Sequence, residues 1–252
     1  MIAIELELKN AGFEEGWREV GGAHEVKVAN EWNPWWHRSD VRPEYKIATK
    51  QVDAHRIHSG SAAQQWFTTH ATHTGGIYQQ VQGVPIGNPL VFTAWVQAFS
   101  RDDDTDWRTS NGRYRMRVGL DPYGGTNPEA SDIVWSEVVQ PYDAWTQLTV
   151  NTTARSDRCT LFVWGQAEWR VKHNDGYVDD CKLVYLVEET VPEPPPEPTP
   201  EPTPEPTPEP APSEPSATAE DLAKLADAVE AFALSVAQAA NELAQKMNDL
   251  NK

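Results

Sequence analysis

Three stretches of the chain place flat aromatic rings beside polar donors. In Glu31-Trp-Asn-Pro-Trp-Trp-His37, the indoles of Trp32, Trp35 and Trp36 stand near Arg38 and Arg42. An indole offers a flat apolar face to a pyranose ring, and neighbouring Asn, Arg or His side chains bond its hydroxyls, which is how small-ligand sites are generally built. The other reading of the same residues is that these tryptophans plug the end of a sandwich. Gln64 to His73 forms a second aromatic-polar stretch with Trp66, Phe67, His70 and His73, and Glu168 to Asp175 a third with Trp169 and His173. A surface shared by the second and third would suit a polar ligand, while hydrogen-bonded or solvated histidines are the alternative. The candidate ligand-binding set is therefore Trp35, Trp36, Trp66, His70, His73, Trp169 and His173.

Other chemistries find less support. His55/His58 and His70/His73 lack the glutamate and the i,i+4 spacing of a zinc helix, and Cys159 and Cys181 lack Cys-x-x-Cys spacing. Asp102, Asp104 and Asp106 alternate as calcium-loop ligands do, but without the glycine and distal glutamate of an EF-hand, so a solvated acidic tip is the competing reading. No Gly-x-Ser-x-Gly elbow, phosphate loop or dinucleotide fingerprint is present. The sequence alone cannot bring two carboxylates to glycosidase separation. A non-catalytic protein is expected. Cys159 and Cys181 lie in strand-like segments joined by a loop at 166–176, a register at which antiparallel neighbours would approach. They would form either one disulfide or two reduced, buried thiols.

The elements that must hold these residues fall into three segments. The chain has 252 residues and a net charge of −17. All 11 tryptophans lie before residue 170, and 13 of the 20 prolines lie between 192 and 215. Residues 1–187 alternate with period two between turn residues. Ile2–Leu8, Glu25–Val28, Gly76–Val81, Leu90–Ser100, Tyr114–Leu120, Thr146–Asn151, Cys159–Gly165 and Tyr177–Val187 all read as strands. Within Leu90–Ser100, Val91, Thr93, Trp95, Gln97 and Phe99 face opposite to Phe92, Ala94, Val96 and Ala98. The expected fold is mainly β, a two-sheet jelly-roll β-sandwich with long connections at roughly 29–75 and 101–113.

Residues 188–216, with eight glutamates and a repeated Glu-Pro-Thr-Pro, predict a stiff polyproline II spacer. Its 24 Pro-rich residues would span on the order of 74 Å. Residues 217–252 predict one α-helix with a heptad seam at Leu222, Leu225, Val229, Phe232, Val236 and Leu243, for self-association or for docking on a partner protein. Acidity without a basic cluster argues against nucleic acid or anionic membranes as partners. The longest apolar-leaning run, Pro89 to Phe99, is far short of the ~20 residues a membrane span needs. The N-terminus has no signal-peptide pattern.

Asn10-Ala-Gly-Phe-Glu14, His58-Ser-Gly-Ser-Ala62, Gly76-Ile-Tyr-Gln-Gln-Val81, Phe92-Thr-Ala-Trp-Val96 and Tyr177-Val-Asp-Asp-Cys-Lys-Leu183 occur in an order that resembles carbohydrate-binding modules with a galactose-binding-like jelly roll. The resemblance covers residues 1–187. It implies a glycan ligand and a structural calcium held by Glu14 with Asp179 or Asp180. The expected protein is a glycan-binding head on a stalk, extracellular or on a virion surface. The alternatives are a purely structural virion decoration, fibre or appendage protein, or a module from a secreted glycoside hydrolase.

Overall fold

The computed structural model describes residues 1–188; the spacer and the helix, with Leu222, Leu225, Val229, Phe232, Val236 and Leu243, lie outside the described residues. The strands are β1 (Ile2–Leu6), β2 (Trp17–Val20), β3 (Ala23–Ala29), β4 (Asn33–Trp36), β5 (Glu44–Thr49), β6 (Ala62–Thr68), β7 (His73–Gln82), β8 (Pro89–Arg101), β9 (Tyr114–Asp121), β10 (Val134–Trp135), β11 (Thr146–Thr153), β12 (Arg158–Ala167) and β13 (His173–Val187). A single 3-10 turn spans Ala54–Arg56. One sheet has eight strands in the order β11-β8-β13-β6-β5-β3-β2, with β1 also paired to β13; the other has the order β10-β9-β12-β7-β4. The two-sheet sandwich thus matches the expected fold. The connection 29–75 does not, because it holds β4, β5 and β6.

The alternation in β8 decides which face is inside. Leu90, Phe92, Ala94, Val96 and Ala98 are fully buried in the core between the sheets. Their odd-numbered neighbours face outward, and Phe99 joins a separate small cluster with Ala48, Ile57, Ala63 and Tyr177. β6 has the same parity but is buried on nearly every residue, so its sequence lacks a polar face. Gln64 on this strand is fully buried. Its Oε1 accepts the Ala29 N–H and its amide donates to the Lys27 and Lys46 carbonyls. These bonds join β3 to β5, whose parallel ladder has a single register pair, Val26 with Tyr45.

The largest core side chains need room made by glycine. A Cβ on Gly165 of β12 would meet Tyr114 Oη at 2.7 Å, and one on Gly176 of β13 would meet the same oxygen at 2.5 Å and the Trp66 ring at 2.9 Å. The two sheets close over Trp66 and Tyr114 only because these positions carry no side chain.

Cys159 lies on β12 of the five-stranded sheet, opposite Val81, and Cys181 on β13 of the eight-stranded one. Both are buried free thiols. The expected antiparallel pairing therefore does not occur: the loop at 168–172 carries the chain from one sheet to the other. Burial pushes the Cys159 thiol up to about 12 and the Cys181 thiol well above its ordinary value.

Candidate functional site

A cleft of about 530 Å³ opens on the outer face of the eight-stranded sheet. Its floor comes from period-two positions on four neighbouring strands: Lys46 and Ala48 of β5, Gln65 of β6, Phe99 of β8, and Asp175 and Tyr177 of β13. Pairing brings them together, since Asp175 stands opposite both Phe67 and Phe99, and Tyr177 opposite Gln65 and Gln97. The 3-10 turn with Arg56 forms one wall, and Trp107, from the long loop after β8, forms the rim at 51% exposure.

Arg56 fixes that rim. Its guanidinium is buried, donating through Nη1 to Gln97 Oε1 at 3.0 Å and through Nη2 to the Trp107 carbonyl at 2.8 Å. Its Nε lies 3.6 Å from Asp53 Oδ2, and its plane sits over the Phe99 ring (4.6 Å) and the Tyr177 ring (5.3 Å). A buried cation with a carboxylate, two acceptors and two ring faces is well compensated. A second hollow of about 270 Å³ continues past it, sharing Asp53, Arg56 and Trp107 and adding Arg108 and Asp143. Trp107 therefore stands between two halves of one groove.

Asp175 is buried at the floor and accepts from Gln65 Nε2 at 2.5 Å; the same amide donates to Tyr177 Oη at 3.1 Å. Burial pushes the Asp175 carboxyl up and outweighs the stabilisation of its charge by Gln65, Lys46, His173 and Arg56. Burial likewise raises the Tyr177 phenol well above its ordinary value. Rings that can stack on a ligand thus stand beside carboxyl, amide, phenol and ammonium groups that can bond its hydroxyls.

The candidate residues named above distribute unevenly around this cleft. His173 lines it, with Nε2 at 2.7 Å from Asp104 Oδ1. His70 is exposed in the β6–β7 turn, and its N–H donates to Val171 in the loop that carries Trp169, itself 49% exposed. These two loops are neighbours. Trp66 and His73, however, are fully buried between the sheets and out of reach of any ligand. The physical reason is parity: Gln65 and Phe67 take the outward positions on β6, so Trp66 must point inward. Trp36 is half-buried against Tyr45, and Trp35 is buried against Ile133 and Phe162 on the far side of the five-stranded sheet. The groove residues that the sequence left unmarked are Lys46, Arg56, Gln65, Phe99, Trp107, Asp175 and Tyr177. The sequence signals that touch them are the outward row of β8 for Phe99 and the two aromatic-polar stretches that contain Gln65 and Asp175.

The carboxylates expected to hold calcium meet on one turn. Glu14 Oε1 accepts the N–H groups of Ser61 (2.7 Å) and Ala62 (2.9 Å). Asp179 Oδ2 accepts those of His58 (3.0 Å) and Ser59 (3.2 Å), while Asp180 bonds His58 Nδ1 (2.5 Å) and Ser59 Oγ (2.9 Å). A register shift in β13 between Asp179 and Lys182, with Asp180 at φ +43°, aims both aspartates at this turn. Bulges commonly re-aim side chains in this way. Asp179 is fully buried; burial, with the charge of Asp180 adding, pushes its carboxyl up to about 7. Oxygen donors of this kind suit a calcium ion. Among the described residues, though, no three His, Cys, Asp or Glu side chains converge into a ready metal-ligand set. The Asp102–Asp106 tip disperses its charges: Asp102 bonds Asn111, Asp103 bonds Arg101 and Thr105, and Asp104 bonds Lys172 and His173.

Comparison with known proteins gives a fold and no family assignment. No family model matches the chain, and no curated protein matches it. The solved structures similar to it include a cyclase, Fisc from Fischerella sp. TAU, in complex with an indole compound (TM-score 0.50, 13% identity, covering 75% of this chain and 100% of that one). They also include carbohydrate-binding modules. One is TmCBM61 in complex with β-1,4-galactotriose (TM-score 0.46, 17% identity, 71% of this chain and 97% of that one). Another is the CBM22-1 xylan-binding domain of Xyn10C from Paenibacillus barcinonensis (TM-score 0.40, 10% identity, 71% and 93%). The likeness to the cyclase shows the shared two-sheet fold. No described helix is long and apolar enough to cross a membrane.

Proposed function

We propose that residues 1–187 form a non-catalytic glycan-binding head whose ligand lies in the groove on the eight-stranded sheet. The observation that carries this reading is Trp107. It is a half-exposed indole, held on the groove rim by Arg56, beside a floor that mixes the rings of Phe99 and Tyr177 with the polar ends of Lys46, Gln65 and Asp175. A pyranose needs this pairing of a stacking face with hydroxyl partners. Loop residues held by a rigid sheet are a common way to build it. The test is a glycan array probed with the full chain, followed by calorimetry on the best ligand. Trp107→Ala should weaken binding at least tenfold with the melting temperature little changed. Unchanged affinity in that variant would move the site elsewhere.

The rest of the proposal extends from the head. Glu14, Asp179 and Asp180 hold a structural calcium ion at the His58–Ser61 turn, a reading supported by the hydrogen bonds that tie each of these carboxylates to that turn. Removing the ion with a chelator should lower the melting temperature, and calcium, not magnesium, should restore it. Residues 188–216 act as the stalk and 217–252 as the assembly helix of an extracellular or virion-exposed protein, a reading supported by proline spacing and the heptad seam. Sedimentation of the full chain against Phe232→Asp tests the assembly.

A further inference from the structure

The outer face of the other sheet carries a cation that has no acidic partner among the described residues. β10, β9 and β12 are adjacent, and they set Trp135, Arg117 and Trp164 side by side on one face. Trp164 is the register partner of Arg117, and Trp135 that of Gly119. Gly119 matters here, because a Cβ there would meet the Trp135 ring at 2.5 Å. The bare backbone lets the Trp135 indole lie against the sheet next to the arginine. The guanidinium carbon of Arg117 is 4.2 Å from the Trp135 ring centroid and 4.7 Å from that of Trp164.

A ring on either side satisfies the faces of a guanidinium but none of its five N–H donors. Arg115 on the same strand and Arg113 just before it each have an acceptor. Arg113 Nε and Arg115 Nη2 both lie 2.5 Å from the Glu168 carboxylate. Arg117, two residues further along, makes no side-chain hydrogen bond or ion pair among the described residues, and its Nε is buried without a partner. Burial lowers its pKa.

We propose that Trp135, Arg117 and Trp164 form a second binding site, on the face opposite the groove, for a carboxylate-bearing sugar: a uronic acid residue of an acidic polysaccharide. The carboxylate takes two parallel N–H bonds from the edge of Arg117, a geometry that a planar fork fits and an ammonium does not. The two indole centroids lie 4.2 and 4.7 Å from the guanidinium carbon, beside the position the carboxylate would take, where a pyranose ring could meet them. Two indoles beside the cation favour a sugar acid over an acidic peptide, whose carboxylate sits on a flexible stem with no ring to stack. Arg115 leaves the local charge positive after Glu168 is shared, so a neighbouring uronate along the chain is also favoured.

The test uses the full-length protein and two probes of one shape, trigalacturonate and its methyl ester. At low salt the acid should bind at least tenfold more tightly than the ester, with the difference shrinking as salt rises. Arg117→Met should remove the preference and Arg117→Lys should restore only part of it. Trp107→Ala, in the groove on the opposite sheet, should leave it intact. Should the variants fail to fold, the wild-type protein still decides the matter: the indole N–H resonances of Trp135 and Trp164 should shift on titration with the acid. Equal affinity for acid and ester would overturn the proposal. So would silent Trp135 and Trp164 resonances, a preference lost in Trp107→Ala and kept in Arg117→Met, or binding of an acidic peptide in place of the uronate.

Discussion

His73 should make the stability of this protein depend on pH in a way that one substitution exposes. The imidazole is sealed between the sheets, with Nδ1 at 2.9 Å from Thr68 Oγ1 and Nε2 at 3.0 Å from Tyr114 Oη. Thr68 already gives its hydroxyl proton to the Ala71 carbonyl, so it can only accept from Nδ1–H. Nε2 must then accept from the Tyr114 hydroxyl. The ring is a neutral Nδ1 tautomer with no room for a second proton, and burial lowers its pKa from 6.5 to about 3. The unfolded chain, whose His73 titrates normally, binds the extra proton first as pH falls. Stability from this group is therefore complete above about pH 6.5 and is lost progressively toward pH 3. At ~1.4 kcal/mol per pH unit, the loss reaches about 3 kcal/mol by pH 4 and has a ceiling of about 5 kcal/mol.

Asp179 runs the other way. In calcium-free buffer its carboxyl is raised to about 7, so its contribution is greatest near pH 4 and fades as pH rises through 7. The two slopes oppose each other across the same window, and the wild-type curve alone could look flat. His73→Gln keeps a donor and an acceptor and removes the titration. Urea unfolding at a series of pH values should show wild type well ahead of the variant at neutral pH, with the gap closing by about 3 kcal/mol at pH 4. Parallel curves for the two proteins would refute the burial argument.

Three further outcomes follow from the packing. Gly76→Ala should cost about 3 kcal/mol or more in urea unfolding, because the new Cβ would sit 1.9 Å from the Val163 carbonyl oxygen, a backbone atom of the adjoining strand. Cys159 and Cys181 should resist a thiol reagent in the native protein at mildly alkaline pH and react together on unfolding, with reductant leaving the melting temperature unchanged; labelling of one in the native state would show that its strand opens. Arg56→Met should weaken glycan binding about tenfold and lower the melting temperature, since the Trp107 carbonyl, Gln97 and Asp53 all lose their partner.

The parts of this molecule that were legible in its sequence are those where one strand carries its own contrast. β8 shows a buried row and an exposed row in alternate residues, and the sheet face could be read from it, down to the outward position of Phe99. β6 has no such contrast: Ala62 to Trp66 are all buried, so alanines and glutamines replace the alternating pattern and the segment reads as connection. β4 contains a proline, which weakens the strand signal further. The same loss of contrast explains Trp66 and His73. Their residue types suggested a ligand, but type does not give direction, and direction depends on the parity of a strand that was not visible. The groove fails to show for another reason. Arg56, Trp107 and Tyr177 are each single positions on a turn, a loop and a strand, brought together over the face that the order β8-β13-β6-β5 builds. That order is a property of pairing between strands distant in sequence, and no local spacing encodes it. The turn at His58–Ser61 is the exception. Glu14, Asp179 and Asp180 lie up to 166 positions apart, yet they were named together because the motifs around them resemble a known set, and the structure lays all three on that one turn. Motif order can thus stand in for pairing where it is shared with other proteins. The Trp107 groove and the Arg117 row have no such shared motif, and only the assembled sheets bring them into view.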